Sequence, residues 1–235
     1  MNIQDAVVLI TGANRGLGLA FAREALARGA RKVYAGARDP ASVTLPGVEA
    51  LQLDVTNADD VAAAAAKCRD VTLLINNAGI ARTGSFLKAD AVDSLRDHLE
   101  TNVFGMLRMG QAFAPVLAAG GGGAMLNVLS VVSWVSSPVL GAYAASKSAA
   151  WSLTNGLRNE LQAQKTQVVG LHMGFVDTDL TRGFDLPKIT PETVVNAAYD
   201  ALAAGKEEVL VDEITRQVKQ GLSADVGVYL RNWRE

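Results

Sequence analysis

Ile10–Thr11–Gly12–Ala13–Asn14–Arg15–Gly16–Leu17–Gly18 is the stretch that decides the fold. It follows Ala6–Ile10, an apolar run of strand length, and opens Leu17–Arg28, whose apolar residues recur at helical spacing as far as Gly29, a helix stop. A strand-to-helix turn of this kind must bend tightly, admit a pyrophosphate to the backbone, and pack helix against strand. Glycine, lacking a side chain, serves all three needs. The helix start then offers free N–H groups and a partial positive charge to phosphates. Three glycines also occur in plain tight turns; the strand before and the helix after favour a nucleotide.

The same alternation continues outward from this turn. Strand-like runs fall at Lys32–Gly36, Val48–Leu53, Val71–Ile75, Ala124–Leu129, Val168–Met173 and Val209–Val211. Between them lie helical stretches at Ala58–Lys67, Ala91–Ala119 (with a break expected near Thr101–Asn102), Tyr143–Gln164 and Pro191–Ala204, the last with Thr190 as N-cap. Strands apolar on both faces and joined through helices predict an α/β fold. The expected architecture is a doubly wound, Rossmann-type parallel sheet of about seven strands with helices on both faces. Gly120–Gly123 reads as a turn, not a linker, so one domain is expected over 1–235.

Composition narrows the partners. About half of the residues are hydrophobic, enough for a large core, and the net charge of −2 gives no electrostatic footprint for nucleic acid or an anionic membrane. No apolar run reaches membrane length, and Met1–Asp5 is too polar to start a signal peptide. Small molecules and further copies of the chain are the expected partners. Cys68, the single cysteine, cannot form an internal disulfide and lies in an alanine-rich helical run, which fits packing and a reducing, cytoplasmic location. No His/Cys/Asp/Glu cluster suggests a metal. His172 reads as a packed strand residue and His98 as a surface helix residue.

The spacing Thr-Gly-x-x-x-Gly-x-Gly resembles the short-chain dehydrogenase/reductase family, and the resemblance runs from about Val7 to Asp179. Asn76–Asn77–Ala78–Gly79 matches that family's NNAG motif, Asn102 falls in the next helix, Ser130 ends the fifth strand, and Tyr143–Ala144–Ala145–Ser146–Lys147 gives Tyr-x-x-x-Lys. The resemblance implies a catalytic group of Asn102, Ser130, Tyr143 and Lys147, with Asn102 holding a proton-relaying water. It implies a cofactor site built from Gly12, Asn14, Arg15, Gly16, Leu17, Gly18, Asp54, Val55, Asn77, Ala78, Gly79, Gly174, Val176 and Thr178, together with Tyr143 and Lys147. Asp54 resembles the family's adenine-contacting acid; its alternative is a helix cap. Where the family has Pro-Gly this chain has Met173–Gly174, a loss expected to loosen the nicotinamide side.

Charge indicates which dinucleotide. An acid about 20 residues past the glycines would bind the ribose 2′-hydroxyl of NAD and repel a 2′-phosphate. Position 37 is alanine, followed by Arg38, and Arg15 lies within the glycine turn. Two arginines can hold a phosphate, so NADP (NADPH) is expected; both could instead be ordinary solvated side chains. Asp39 is expected to point elsewhere.

Reduction of a carbonyl needs a hydride and a proton. A tyrosine can give the proton and steady the alkoxide, but its ordinary pKa is about 10, and a neighbouring ammonium is expected to lower it. Lys147, one helical turn from Tyr143, lies on the same face. Ser130 would donate to the substrate oxygen. Trp134 and Leu140, between Ser130 and Tyr143, and Phe184 and Leu186, in a short loop after Thr178, would line the substrate pocket with Ser130 and Tyr143; Trp134 could instead be a core anchor. This wall suits a hydrophobic ketone, aldehyde or secondary alcohol, as in a carbonyl reductase. An NADP(H)-sensing regulator and an epimerase or dehydratase are the rival readings. The family's Gly-rich C-terminal tail is replaced by a helical Glu213–Leu222. A homo-oligomer, dimer or tetramer, is expected by analogy, through helices near Met106–Phe113 and Ser148–Leu157.

Overall fold

The structure, a computed structural model, describes residues 1–230; 231–235, the end of the domain expected over 1–235, lie outside the described residues. Seven strands form one parallel sheet: β1 Val7–Thr11, β2 Lys32–Ala37, β3 Glu49–Gln52, β4 Leu73–Asn76, β5 Ala124–Val128, β6 Gln167–His172 and β7 Glu208–Leu210. Their order is β3-β2-β1-β4-β5-β6-β7. The chain winds outward from β1 to one edge, returns to lay β4 against β1 (Leu9 opposite Leu74), and winds to the other edge. The direction therefore reverses between β1 and β4, and a crevice opens beyond the carboxyl ends of these two strands.

Period-two alternation along each strand builds the two cores. Val8, Ile10, Leu73, Ile75, Leu126 and Leu171 face one side, against α1 (Gly16–Ala27) and α6 (Pro191–Ala203). Phe21 of α1 meets Tyr199 of α6 edge to face at 5.6 Å, and the Tyr199 hydroxyl donates to the Phe21 carbonyl at 2.8 Å. Val7, Leu9, Leu74, Met125 and Val168 face the other side, against α2 (Ala58–Lys67), α4 (Gly105–Ala119) and α5 (Gly141–Leu161). Cys68 packs in this layer, where burial pushes its thiol up to about 11, so it stays a neutral thiol.

Two features differ from the sequence reading in detail. The break expected near Thr101–Asn102 is a π-turn, Glu100–Phe104, set between α3 (Ala91–Leu99) and α4. Met106, Met109, Phe113 and Leu157, which lie on the two helices expected to join copies of the chain, are buried within the protomer, so any contact between copies would use the other faces of those helices. The Glu213–Gly221 helix, α7, follows β7 as the sequence suggested. Among the described residues no helix is long and apolar enough to cross a membrane.

One buried polar chain ties the sheet to α5. Asn76 Nδ2 donates to Asn127 Oδ1 at 2.8 Å, Asn127 Nδ2 donates to Thr154 Oγ1 at 3.0 Å, and Thr154 Oγ1 donates to the Ala150 carbonyl at 2.8 Å. Asn127→Ala strands the buried Asn76 amide and takes from Thr154 Oγ1 the donor it accepts, although that hydroxyl keeps its bond to the Ala150 carbonyl, so a loss of roughly 1–3 kcal/mol is expected. Thermal and urea unfolding of the variant check this, and an unchanged midpoint would show that the chain contributes nothing to stability.

Candidate active site

The crevice is a cleft of about 1030 Å³. Its floor is the glycine turn, held against the end of β4 by two residues. Thr11 Oγ1 accepts from the backbone N–H of Asn77 at 3.0 Å and of Ala78 at 2.9 Å. Asn77 Nδ2 donates to the carbonyls of Thr11 at 2.9 Å and Gly12 at 3.1 Å. Gly12 adopts φ +66° and Gly16 φ +53°, and a Cβ on Gly18 would collide with the Gly12 carbonyl oxygen, so any side chain there would break the turn. Arg15, the N-cap of α1, provides no side-chain cap, which leaves the first N–H groups of that helix to whatever anion enters. This cradle fits a dinucleotide pyrophosphate.

The structure gathers Gly12, Asn14, Arg15, Gly16, Leu17, Gly18, Arg38, Asp54, Val55, Asn77, Ala78, Gly79, Ser130, Tyr143, Lys147, Gly174, Val176 and Thr178 along this one cleft. Ala37 is buried and Arg38 exposed beside it. The Asp39 carboxylate accepts from the Ala41 N–H at 3.0 Å, capping a short 3₁₀ turn, so it is occupied there. Arg15 stands 3.7 Å from Asp179 of the loop after β6, across the cleft, and Arg182 also pairs with Asp179. Asp54 is not the cap of α2; Asn57 is. Asp54 Oδ1 instead accepts from Thr56 N at 2.9 Å and Thr56 Oγ1 at 2.8 Å.

Ser130 follows β5, and Tyr143 and Lys147 lie on the first turns of α5, at the carboxyl edge of the sheet. Lys147 Nζ donates to the Val128 carbonyl at 2.7 Å and lies 5.8 Å from the centre of the Tyr143 ring. Burial holds the Lys147 ammonium down to about 8 and pushes the Tyr143 phenol up to about 12, against a hydrogen bond from Ser130 that lowers it. The depression of Tyr143 by Lys147 expected from sequence is thus not what the geometry produces. The ammonium is turned to a carbonyl and is itself weakened by burial, while desolvation keeps the phenol protonated.

Asn102 does not reach the cleft wall. Its Oδ1 accepts from Ile80 N at 2.8 Å, and its Nδ2 donates to the Ile80 carbonyl at 3.0 Å and to Ser146 Oγ at 2.9 Å. The side chain is a clamp between the segment after Gly79 and α5. His98, expected at the surface, is fully buried. Its ring hydrogen-bonds the Ser94 carbonyl and the Arg82 N–H and lies 6.3 Å from the Tyr143 ring. A histidine on a polar helix gave no signal of this, because the loop that covers it comes from earlier in the chain.

The expected substrate wall is also placed differently. Trp134 is buried, stacked on His172 at 4.0 Å, edge-on to Trp151 at 6.3 Å, with Lys219 Nζ 4.8 Å above its ring. The core-anchor alternative describes it: the 3₁₀ turn Val131–Ser133 carries the chain inward after Ser130. Leu140 is buried at the start of α5, Phe184 packs on Phe175 at 5.2 Å, and Leu186 is exposed. None of the four lines the cleft; Ile80, Leu129, Met173 and Leu180 do. Nor is the Met173–Gly174 turn loose, because Gly174 N donates to Asp212 Oδ2 at 2.6 Å.

Comparison with known proteins agrees with this geometry. Residues 6–187 match the family described as short chain dehydrogenase. A short chain dehydrogenase from Burkholderia cenocepacia J2315, solved in complex with NADP, is 40% identical and superposes with a TM-score of 0.92 over 96% of this chain and 95% of its own. A short-chain dehydrogenase from Sphingobium yanoikuyae in complex with NADPH is 28% identical, with a TM-score of 0.77 over 94% of this chain and 96% of its own. An uncharacterized oxidoreductase of Staphylococcus haemolyticus is 31% identical over 226 residues, 91% of this chain and 97% of that protein.

His172 generates a stability prediction. Its Nδ1 donates to the Ser130 carbonyl at 3.1 Å, its Nε2 is buried without a hydrogen-bond partner among the described residues, and burial holds the ring down to about 4. The unfolded chain therefore takes up a proton near pH 6.5 that the folded chain refuses until about pH 4. Stability present above the unfolded pKa is lost as pH falls through that window, by up to about 3 kcal/mol. In His172→Asn, which keeps a donor toward Ser130, urea unfolding at several pH values should show a shallower acid loss. Parallel profiles for the two proteins would refute the assignment.

Proposed function

We propose that this chain, which belongs to the short-chain dehydrogenase/reductase family, is an NADP(H)-dependent carbonyl reductase or alcohol dehydrogenase. It would interconvert a hydrophobic ketone or aldehyde and its alcohol. The observation that carries the reading is the convergence of Ser130, Tyr143 and Lys147 on the same cleft as the glycine cradle. The bound dinucleotide supplies or accepts the hydride at the carbonyl carbon.

The remaining work falls to the protein. In the reducing direction Tyr143 holds its proton throughout the physiological range and gives it to the substrate oxygen as the C–O bond becomes an alkoxide. Ser130 donates a hydrogen bond to the same oxygen. Lys147, half protonated near pH 8, gives a proton to the phenolate and, as the neutral amine, takes up another from solvent. Asn102 positions α5 through Ser146 and the cofactor wall through Ile80. Arg15 and Arg38 hold the 2′-phosphate that distinguishes NADP(H), with no acid at position 37 to repel it. Leu129, Met173 and Leu180 give the reacting end an apolar wall, which discriminates by size and favours hydrophobic carbonyls over keto acids. The chain acts on this small-molecule substrate as a cytoplasmic homo-oligomer.

Two measurements test the reading. With a panel of hydrophobic ketones, kcat/KM should be higher with NADPH than with NADH, and Ala37→Asp should move the preference toward NADH. Equal or better turnover with NADH in the unsubstituted protein would refute the cofactor assignment. Tyr143→Phe removes the proton donor and keeps the ring, so turnover should collapse while NADPH still binds. Retention of more than about a tenth of the rate would mean that less than about 1.4 kcal/mol of barrier depends on that hydroxyl.

A further inference from the structure

We propose that Asp212 is a positioning residue for the dinucleotide: one carboxylate oxygen fixes the main chain at Gly174, on the wall of the cleft, while the other caps α7. The inference rests on the reading of the cleft as an NADP(H) site. β6 ends at His172, and the chain then runs out through Met173, Gly174 and Phe175 to Val176 along the cleft. Gly174 N donates to Asp212 Oδ2 at 2.6 Å, a short charge-assisted bond across 38 residues of sequence. The turn lies tight on α7: a Cβ at Gly174 would meet Ile214 Cγ2 at 3.2 Å and Asp212 Oδ2 at 3.3 Å.

The second oxygen has a separate task. Asp212 Oδ1 accepts from Thr215 N at 2.9 Å and from Thr215 Oγ1 at 2.6 Å, which is an N-cap with its hydroxyl reinforced. A carboxylate can serve both sites because it has two acceptor oxygens; an amide or a hydroxyl has one. The helix so capped is itself held firmly. Val218 is buried in the Trp134 cluster, and Lys219 Nζ donates to Glu208 Oε1 at 2.9 Å. Gly174, on the cleft wall, is therefore tied to a fixed element that stands behind that wall.

The division of labour makes the inference testable by substitution in the intact folded chain. Asp212→Ser keeps a good helix cap and deletes the hold on Gly174, so its melting temperature without cofactor should stay near that of the unsubstituted protein. Its Kd for NADPH, measured by cofactor fluorescence, should rise about tenfold, the equivalent of one charge-assisted hydrogen bond. Thr215→Val weakens the cap and spares the hold, so it should melt lower and bind NADPH normally. If Asp212→Ser does not fold, Asp212→Asn, a cap of equal strength with one acceptor oxygen, is read in the same way. NADPH binding by Asp212→Ser equal to that of the unsubstituted protein, or equal weakening by Thr215→Val, would overturn the inference. Failure of the unsubstituted protein to bind NADPH would overturn the dinucleotide reading itself, and the inference with it.

Discussion

The site depends on how the ends of β1 and β4 are held together. Parallel strands that diverge at a switch point leave main-chain polar groups facing a crevice, and those groups need partners. Thr11 and Asn77 supply them: a hydroxyl takes two N–H groups from the β4 side, and an amide gives two bonds to carbonyls on the β1 side. The crevice is thereby closed below and open above. The glycine turn can then bend over it without side chains, and the free end of α1 points into the space that remains. A looser join would move the helix end away from the phosphates and the cradle away from Ser130, Tyr143 and Lys147.

The parts of this arrangement that were legible in sequence are those fixed by the main chain. Gly12, Gly16 and Gly18 are required by positive φ or by close approach, and Asn77 and the Tyr143–Lys147 spacing follow directly from a strand end and a helical turn. The seven strands were legible because strands buried on both faces leave an unbroken apolar signature. The substrate wall was not. Trp134, Leu140, Phe184 and Leu186 occupy irregular segments, where the direction of a side chain depends on what packs over it. The 3₁₀ turn after Ser130 sends Trp134 inward to His172 instead of outward to the cleft.

Long-range partners were the other blind spot. His98 looks like any polar-helix residue until the Arg82 segment is laid over it, and Asp212 is not singled out at all, though the structure makes it the cap of a short helix. Its second contact, to Gly174, involves a strand-end turn far back in the chain. Locally, Asp212 and Thr215 form only that cap, and nothing in their spacing points back to Gly174. The pKa of Tyr143 belongs to the same class. Helical spacing places a lysine beside it, but which acceptor the ammonium turns to, here the Val128 carbonyl, is a tertiary matter.

The π-turn at Glu100–Phe104 has a consequence for the reading frame of the long helical segment that contains it. A π-turn holds one residue more than an α-turn, so it shifts the phase of everything after it by about 100°. Asn102 lies within that turn, and Met106, Met109, Phe113 and Leu117 beyond it are buried against the sheet in the phase that the turn sets. A chain shortened by one residue here would straighten into continuous helix and carry those four side chains a quarter-turn off the core. Deletions in this segment are therefore a different class of change from substitutions: they alter the facing of a whole helix, not the identity of one side chain.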